Sequence, residues 1–285
     1  MTRFQLLAVV DRHGPHVTLA AGAKVGGRHW STTSVSAAKV RALRRNPRAG
    51  VLSIDADGHG WSLVVGRATI LDPRRPFDGL ADPAAVSLAG MALTRLGLAN
   101  ADQIVGYLRD GASVPNTWRP PSRVLIAVRA EHRLTWRNGV VADATGQLAR
   151  SRPLPRPTRQ RRHRVDPAVA AGVESVNRAL VTDAGTCTVG FTTPLGPVAV
   201  PGWWDPSGTV RIDRNVLCNV PVDLPGPCCV TIDDSHDARP SAKRGVMLRC
   251  VAGRLARGDE HVDLAVRVES AISWHGFDAT TRRAG

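Results

Sequence analysis

Of the 38 basic side chains in the sequence only three are lysines, and one of these, Lys39, lies in a stretch crowded with hydroxyls. The stretch runs from Ser31 to Gly50 and reads STTSVSAAKVRALRRNPRAG. Ser36 reads as the N-cap of a helix that Asn46-Pro47 ends near Arg45, which puts Lys39 in its first turn. Val40 and Leu43, three apart, then point to a core. Unpaired amides at such a helix start, together with its dipole, favour an anion by about 0.3–1 kcal/mol. Ser31, Thr32 and Thr33 can donate to phosphate oxygens, and Lys39 supplies a compact charge. The chemistry this suggests is phosphate binding. The same residues also read as an ordinary capped helix with a lysine on it.

Other candidates are weaker. His13 and His16 flank Gly14-Pro15 and read as strand-edge residues, not a metal pair. Gly22-Ala-Lys24-Val-Gly26-Gly27 lacks both the order of a phosphate loop and a following helix, and reads as a hairpin turn. No Ser, His and Asp arrangement suggests a nucleophilic triad, and no carboxylate pair stands out. Cys187, Cys218, Cys228, Cys229 and Cys250 show no C-x-x-C spacing and no histidine partner, and read as reduced core residues.

Something must position these groups, and composition limits what. The chain has 285 residues, 43% of them hydrophobic and 22% charged, as expected of a globular protein. The apolar run Phe4 to Val10 is too short for a membrane span and lacks a signal-peptide layout, so a cytoplasmic protein with no membrane partner is expected. The net charge is +14, and half of it sits in residues 150–164, RSRPLPRPTRQRRHR, which hold seven arginines and no acid. Three prolines and no apolar periodicity make that segment a linker, expected over 148–167. A nucleic-acid partner for it is not expected, since no aromatic residue interrupts it for base stacking.

The two sides of the linker echo each other. VLIAVRAEHRLTW, ending at Trp136, matches VDLAVRVESAISW, ending at Trp274, with an offset of 138. In the second copy Val262, Leu264, Val266 and Val268 alternate with polar or small residues, the period of a strand with one buried face, and Val124, Ile126 and Val128 repeat it in the first. Gly14-Pro15 and Gly196-Pro197, each leading into a valine-bearing strand, repeat in the same order. The turn of phase at Val65-Gly66-Arg67 resembles that at Gly253-Arg254. A duplicated β unit follows, spanning 1–147 and 168–285.

The first copy carries a helical insert over 80–112. Asp82-Pro83 caps its first helix, along which Val86, Ala89, Leu93 and Leu96 form a stripe that closes near Gly97. Asn100 to Gln103 suggests a second capping arrangement, leading to Ile104, Tyr107 and Leu108. Asp57-Gly58 reads as the hairpin turn between Val51–Ile54 and Trp61–Val65.

Lys39-x-x-x-Leu43-Arg44-Arg45-Asn46-Pro47-Arg48-Ala49, then Asp55-x-Asp57, Gly60-Trp61-Ser62 and Gly66-x-Ala68, resembles the pyridoxamine 5′-phosphate oxidase-like proteins, nearest their flavin/deazaflavin oxidoreductase branch. Asp11-x-x-Gly14-Pro15-His16-Val17 fits the first hairpin of that fold. The resemblance covers roughly residues 5–135 and is weaker in the second half. It implies a mainly β (α+β) chain of two split β-barrel repeats forming a single-chain pseudo-dimer. It also implies an FMN or deazaflavin (coenzyme F-420) cofactor, with Ser31, Thr32, Thr33 and Lys39 at its phosphate and Trp61 and Ser62 near the same site. The activity implied is hydride transfer to or from a small organic substrate. The alternative is a non-catalytic flavin, deazaflavin or haem binder on a degenerate barrel.

Two departures bear on this. Members commonly have an arginine two residues before the lysine, where this chain has Ala37. In the second copy Cys218 falls near the place of Lys39. At most one cofactor site is therefore expected, with its far wall from the second copy and Trp203 and Trp204 as candidates for that wall.

Overall fold

The computed structural model describes residues 4–55, 60–119, 122–138, 140–154, 169–170, 173, 175–234, 239–257 and 260–283. Asp57-Gly58 and most of the arginine-rich segment lie outside the described residues.

The first repeat contributes β1 (Phe4–Asp11), β2 (Gly14–Val25), β3 (Arg28–Ser34), α1 (Ala38–Arg45), β4 (Arg48–Ile54), β5 (Gly60–Leu71), α2 (Pro83–Ala99), α3 (Ala101–Asp110), β6 (Arg123–Arg137) and β7 (Val140–Thr145). After α4 (Ser175–Thr182) the second repeat contributes β8 (Gly185–Thr193), β9 (Gly196–Asp205), β10 (Thr209–Asp213), α5 (Arg214–Asn219), β11 (Gly226–Asp233), β12 (Arg244–Arg257), β13 (His261–His275) and β14 (Asp278–Arg283). The strand orders are β3-β2-β1-β4-β5-β6-β7 and β10-β9-β8-β11-β12-β13-β14. Pairing of β3 with β6, and of β10 with β13, closes each into a six-stranded antiparallel barrel with one strand appended. The duplicated barrel expected from the repeat is the fold of the chain.

The period-two pattern explains why these segments are strands and where they bury. Val262, Leu264 and Val266 are fully buried in β13, while Arg267 and Glu269 are exposed. In β6 both faces are buried, which the alternation alone did not indicate. Val124, Ile126 and Val128 pack with Val40, Ala42 and Leu43 of α1, whereas Leu125 and Ala127 pack with Ala85, Ala92 and Leu96 of α2. The insert is what covers the second face. Its first helix starts as expected, with the Asp82 carboxylate accepting from the Ala85 N–H at 3.1 Å. At the second helix Asn100 turns back and donates to the Leu96 carbonyl instead of capping α3. In the second repeat β12 ends at Arg257 and β13 begins at His261, so no insert intervenes.

The barrels pack against each other through β1, β2, β4 and β5 of one and β8, β9 and β11 of the other. Thr231 donates across the join to the Val17 carbonyl at 3.0 Å, and a Cβ on Gly50 would lie 2.3 Å from the Pro197 carbonyl oxygen. The join is nearly symmetric, β4 meeting β9 as β11 meets β2, and β1 meeting β9 as β8 meets β2. Cys187, Cys228, Cys229 and Cys250 are buried, Cys218 is partly so, and all five are free thiols.

Candidate functional site: a cavity between the repeats

Between the repeats lies a cavity of about 1410 Å³. The first repeat lines it with β2, the end of β3, the start of α1 and the insert. The second lines it with Asp233, Lys243, Met247, Ile272, Trp274 and Phe277.

Its polar cluster is built on the segment that leaves β3. Ser34 and Ser36 bond to each other through their hydroxyls at 2.9 Å, and the Ala37 N–H bonds to the Ser34 carbonyl. This tight turn moves the helix start one residue on. Ala37, not Ser36, is the N-cap, and no side chain caps the helix. The first bond inside the turn is made by the Val40 N–H to the Ala37 carbonyl, which leaves the Ala38 and Lys39 amides ahead of it for a ligand.

Lys39 is buried and lines the cavity, its ammonium 3.4 Å from the Leu19 carbonyl. Burial, with the Arg123 cation adding to it and Asp233 opposing it, pushes its pKa down to about 8. Arg123 enters from the start of β6. It donates to the Thr32 hydroxyl and carbonyl, both at 3.2 Å, and lies 5.7 Å from the centre of the Tyr107 ring. Its guanidinium thus reaches the cluster that Ala37 leaves without an arginine. Thr32, Thr33, Ser36 and Arg41 line the same side.

Of the five buried side-chain polar atoms with no hydrogen-bond partner among the described residues, two, the Thr18 hydroxyl and His16 Nδ1, belong to residues that line the cavity. Burial, and next the Lys39 charge, push the His16 pKa down to about 4, so its ring is neutral at pH 7. Its Nδ1 lies 3.7 Å from the Asp11 carboxylate, which Arg249 of the second barrel binds at 2.7 and 3.1 Å.

The insert roofs the cavity. Val86 and Leu93 of the expected stripe, with Ile104 and Leu108 of the second helix, line the cavity. The roof is fastened to the second repeat, where Asp110 accepts from both the Ser241 N–H and its hydroxyl, and Lys243 donates to Gln103 at 3.2 Å. Trp118 meets Phe277 edge-on with ring centres 5.4 Å apart.

The expected site residues divide. Thr32, Thr33 and Lys39 come together at the cavity. Ser31, Trp61 and Ser62 are not among its lining. Ser31 is buried in β3 opposite Ile126. Trp61 is buried and stacked on Trp136, with ring centres 5.7 Å apart. Ser62, next to it in β5, pairs with Ser53 and Thr135. The second repeat does supply the far wall, through Trp274 and Phe277. Trp204 is instead buried, donating to the Val181 carbonyl, and Trp203 is exposed outside the cavity. Arg123, His16 and Trp274 went unrecognised as site residues. Only Trp274 had a signal, as the last residue of the repeated strand.

No family model and no curated protein matches the chain. Solved structures do. It is similar to a pyridoxamine 5′-phosphate oxidase-related, FMN-binding protein from Nostoc punctiforme, at 16% identity over 47% of this chain and 73% of that one, with a TM-score of 0.34. It is similar to an F-420 reductase at 22% identity over 46% and 89%, TM-score 0.31. It is also similar to a heme binding protein from Mycobacterium smegmatis at 18% identity over 50% and 52%, TM-score 0.35. Each likeness covers about half of this chain and is one of strand arrangement alone.

Proposed function

We propose that the cavity holds one flavin-type cofactor, FMN or the deazaflavin coenzyme F-420, and that the protein is an oxidoreductase passing hydride to or from a small organic substrate. The observation that carries this reading is the cavity's make-up. A cationic, hydroxyl-bearing cluster of Lys39, Arg123, Thr32 and Thr33 shares the cavity with Met247, Ile272, Trp274 and Phe277 of the second repeat, whose side also carries Asp233 and Lys243, and the combination suits a phosphate joined to a planar ring system. The residues present fit such a group. Lys39 and Arg123 bring two cations and Thr32 and Thr33 two hydroxyls to the cavity, the donors a phosphate takes.

When bound, the ring supplies the hydride chemistry. The protein's residues bind, orient and exclude water. Lys39 and Arg123 supply charge to the phosphate, Thr32 and Thr33 supply hydroxyls, and the open amides of Ala38 and Lys39 add donors. Trp274 and Phe277 pack against the ring, and the helices of the insert shield it.

The test is a fluorescence titration of the purified protein with FMN and with the deazaflavin coenzyme. Saturable binding of one equivalent, weakened in Lys39→Ala, supports the reading. Failure of both to bind would overturn it, and a Soret band in the isolated protein would replace it with haem handling.

A further inference from the structure

The cavity has a second region, away from the phosphate-like cluster. On α2 its lining residues are Val86, Ala89, Leu93, Leu96 and Gly97, one stripe along the helix. From Val86 to Leu96 the helix rises about 15 Å. Ile104 and Leu108 of α3 line the cavity as well. The two helices carry four charged residues, Arg95, Asp102, Arg109 and Asp110, and none of them lines it. Asn100, Gln103 and Tyr107 are the polar side chains that this part of the chain brings to the cavity, and each already has a partner. Gln103 accepts from Lys243 at 3.2 Å and donates to Asn100 at 3.4 Å, and the Tyr107 hydroxyl accepts from Arg123 at 3.3 Å. The inner face of the insert therefore selects by shape and apolar surface.

Protein does not close that face. Val86, Leu93, Ile104 and Leu108 line the cavity yet stay exposed, from 48% at Ile104 to 76% at Leu108. Ala85, Ala92 and Leu96 already hold the insert on the barrel, against Leu125 and Ala127. The four larger side chains are not needed for that attachment. Aliphatic groups left open in a concave site gain free energy from an apolar occupant, in proportion to the area it takes from water. There is room for one. The cavity, at about 1410 Å³, exceeds the roughly 300–1,000 Å³ of ordinary single-ligand sites, so a bound cofactor leaves space beside it.

We propose that the inner face of the insert seats a substrate with an elongated, uncharged hydrocarbon body, lying along Val86, Leu93, Ile104 and Leu108. This names the substrate class of the hydride transfer proposed above and rests on that reading. Anions belong to the cluster at Lys39 and Arg123, and a small charged substrate would find no partner along the stripe.

The test uses diphenylhexatriene, a rod-shaped uncharged polyene that fluoresces in apolar surroundings, titrated into the full chain. Saturable binding of one equivalent is expected. It should fall about tenfold in Leu93→Asp/Leu108→Asp, which sets carboxylates beside the probe. Phe77→Asp/Leu98→Asp changes two exposed residues of the insert that do not line the cavity, and should bind as the parent does. Matched thermal melts would show the variants folded. Absence of saturable binding would overturn the proposal, as would binding unchanged by the first pair or lowered equally by the second. The cofactor is scored separately, by titration with FMN and the deazaflavin coenzyme. Probe binding lost with cofactor binding intact overturns this proposal alone. Cofactor binding lost with probe binding intact overturns the oxidoreductase reading, and with it the role of the seated compound as substrate.

Discussion

Equivalent surfaces of the two repeats meet different surroundings: one lines the cavity and, among the described residues, the other packs around Leu148. The register that sets Thr33 opposite Val124 and Ile212 opposite Val262 carries Thr32 onto Arg211 and Lys39 onto Cys218. Arg211 is paired with Asp263 at 3.2 Å. The helix start in the cavity has no side-chain cap, whereas Asp213 caps α5 by accepting from the Asn215 N–H at 2.8 Å. An acidic cap both occupies an amide and repels an anion. The walls differ as well. Trp274 faces the cavity, but its counterpart Trp136 is stacked on Trp61 in the apolar core.

The chain itself adds to that packing. Residues 146–149 pack on β6 and β7, and the Arg152 N–H donates to the Cys218 carbonyl at 2.6 Å. The segment therefore passes from the wall of the first barrel to the helix of the second. Leu148 is fully buried, in one apolar cluster with Trp61, Trp136, Val216 and Leu217. Equivalent surfaces become a site or a core according to a few side chains and one passing segment, while the backbone topology stays the same.

The largest expected effect comes from breaking the packing around Leu148. Leu148→Ala should cost about 2–5 kcal/mol in denaturant unfolding. The cofactor stoichiometry should stay at one, because the second repeat has Cys218 where the first has Lys39; two equivalents bound would show that packing alone separates the two surfaces. Next is Lys39→Ala, which removes a charge-assisted hydrogen bond worth about 1.5–3 kcal/mol and should raise the Kd for FMN or the deazaflavin about tenfold or more. Cys218→Ala, at the equivalent position, should leave that Kd unchanged in the same titration.

pH sharpens the same contrast. Free Lys39 loses its proton as pH rises through about 8, so phosphate affinity should fall between pH 7 and 9.5, and Lys39→Ala should be flat. The stability signs follow from linkage. Between about 8 and its ordinary value of 10.5 the folded lysine binds fewer protons than the unfolded one, so its burial cost disappears as pH rises through that window. Neutral His16, lowered from 6.5 to about 4, contributes stability above 6.5 that is lost as pH falls towards 4. Unfolding midpoints across pH 4–7 for the parent and His16→Gln would check this, the variant showing the shallower loss. The smallest effect is expected for Asp213→Ala, about 0.5–2 kcal/mol for a lost cap, with no change in cofactor binding.

Much of this was legible in residues 28–50 and in the closing strands. The hydroxyls, Lys39 and the stop at Asn46-Pro47 are neighbours in the chain, so their chemistry and the helix between them could be read directly. Gly60-Trp61-Ser62 was read by its order alone, and the structure places Trp61 against Trp136 in the apolar cluster, a packing that order does not show. Arg123 was missed because it reaches Thr32 across 91 positions of sequence, and only the closure of β3 on β6 brings the two together. The stripe of Val86 and Leu93 was legible as one face of a helix, but periodicity does not say what lies opposite that face.

The sequence by itself determined the duplicated β unit, the start of the insert at Asp82 and the end of α1 at Asn46-Pro47, because alternation, caps and helix stops act over a few residues. Only the tertiary structure decided that a cavity lies between the repeats, that Arg123 reaches Thr32, and that the insert turns apolar side chains outward. Each of these depends on contacts between residues far apart in the chain, where the free energy of burial is settled by what the opposite barrel presents.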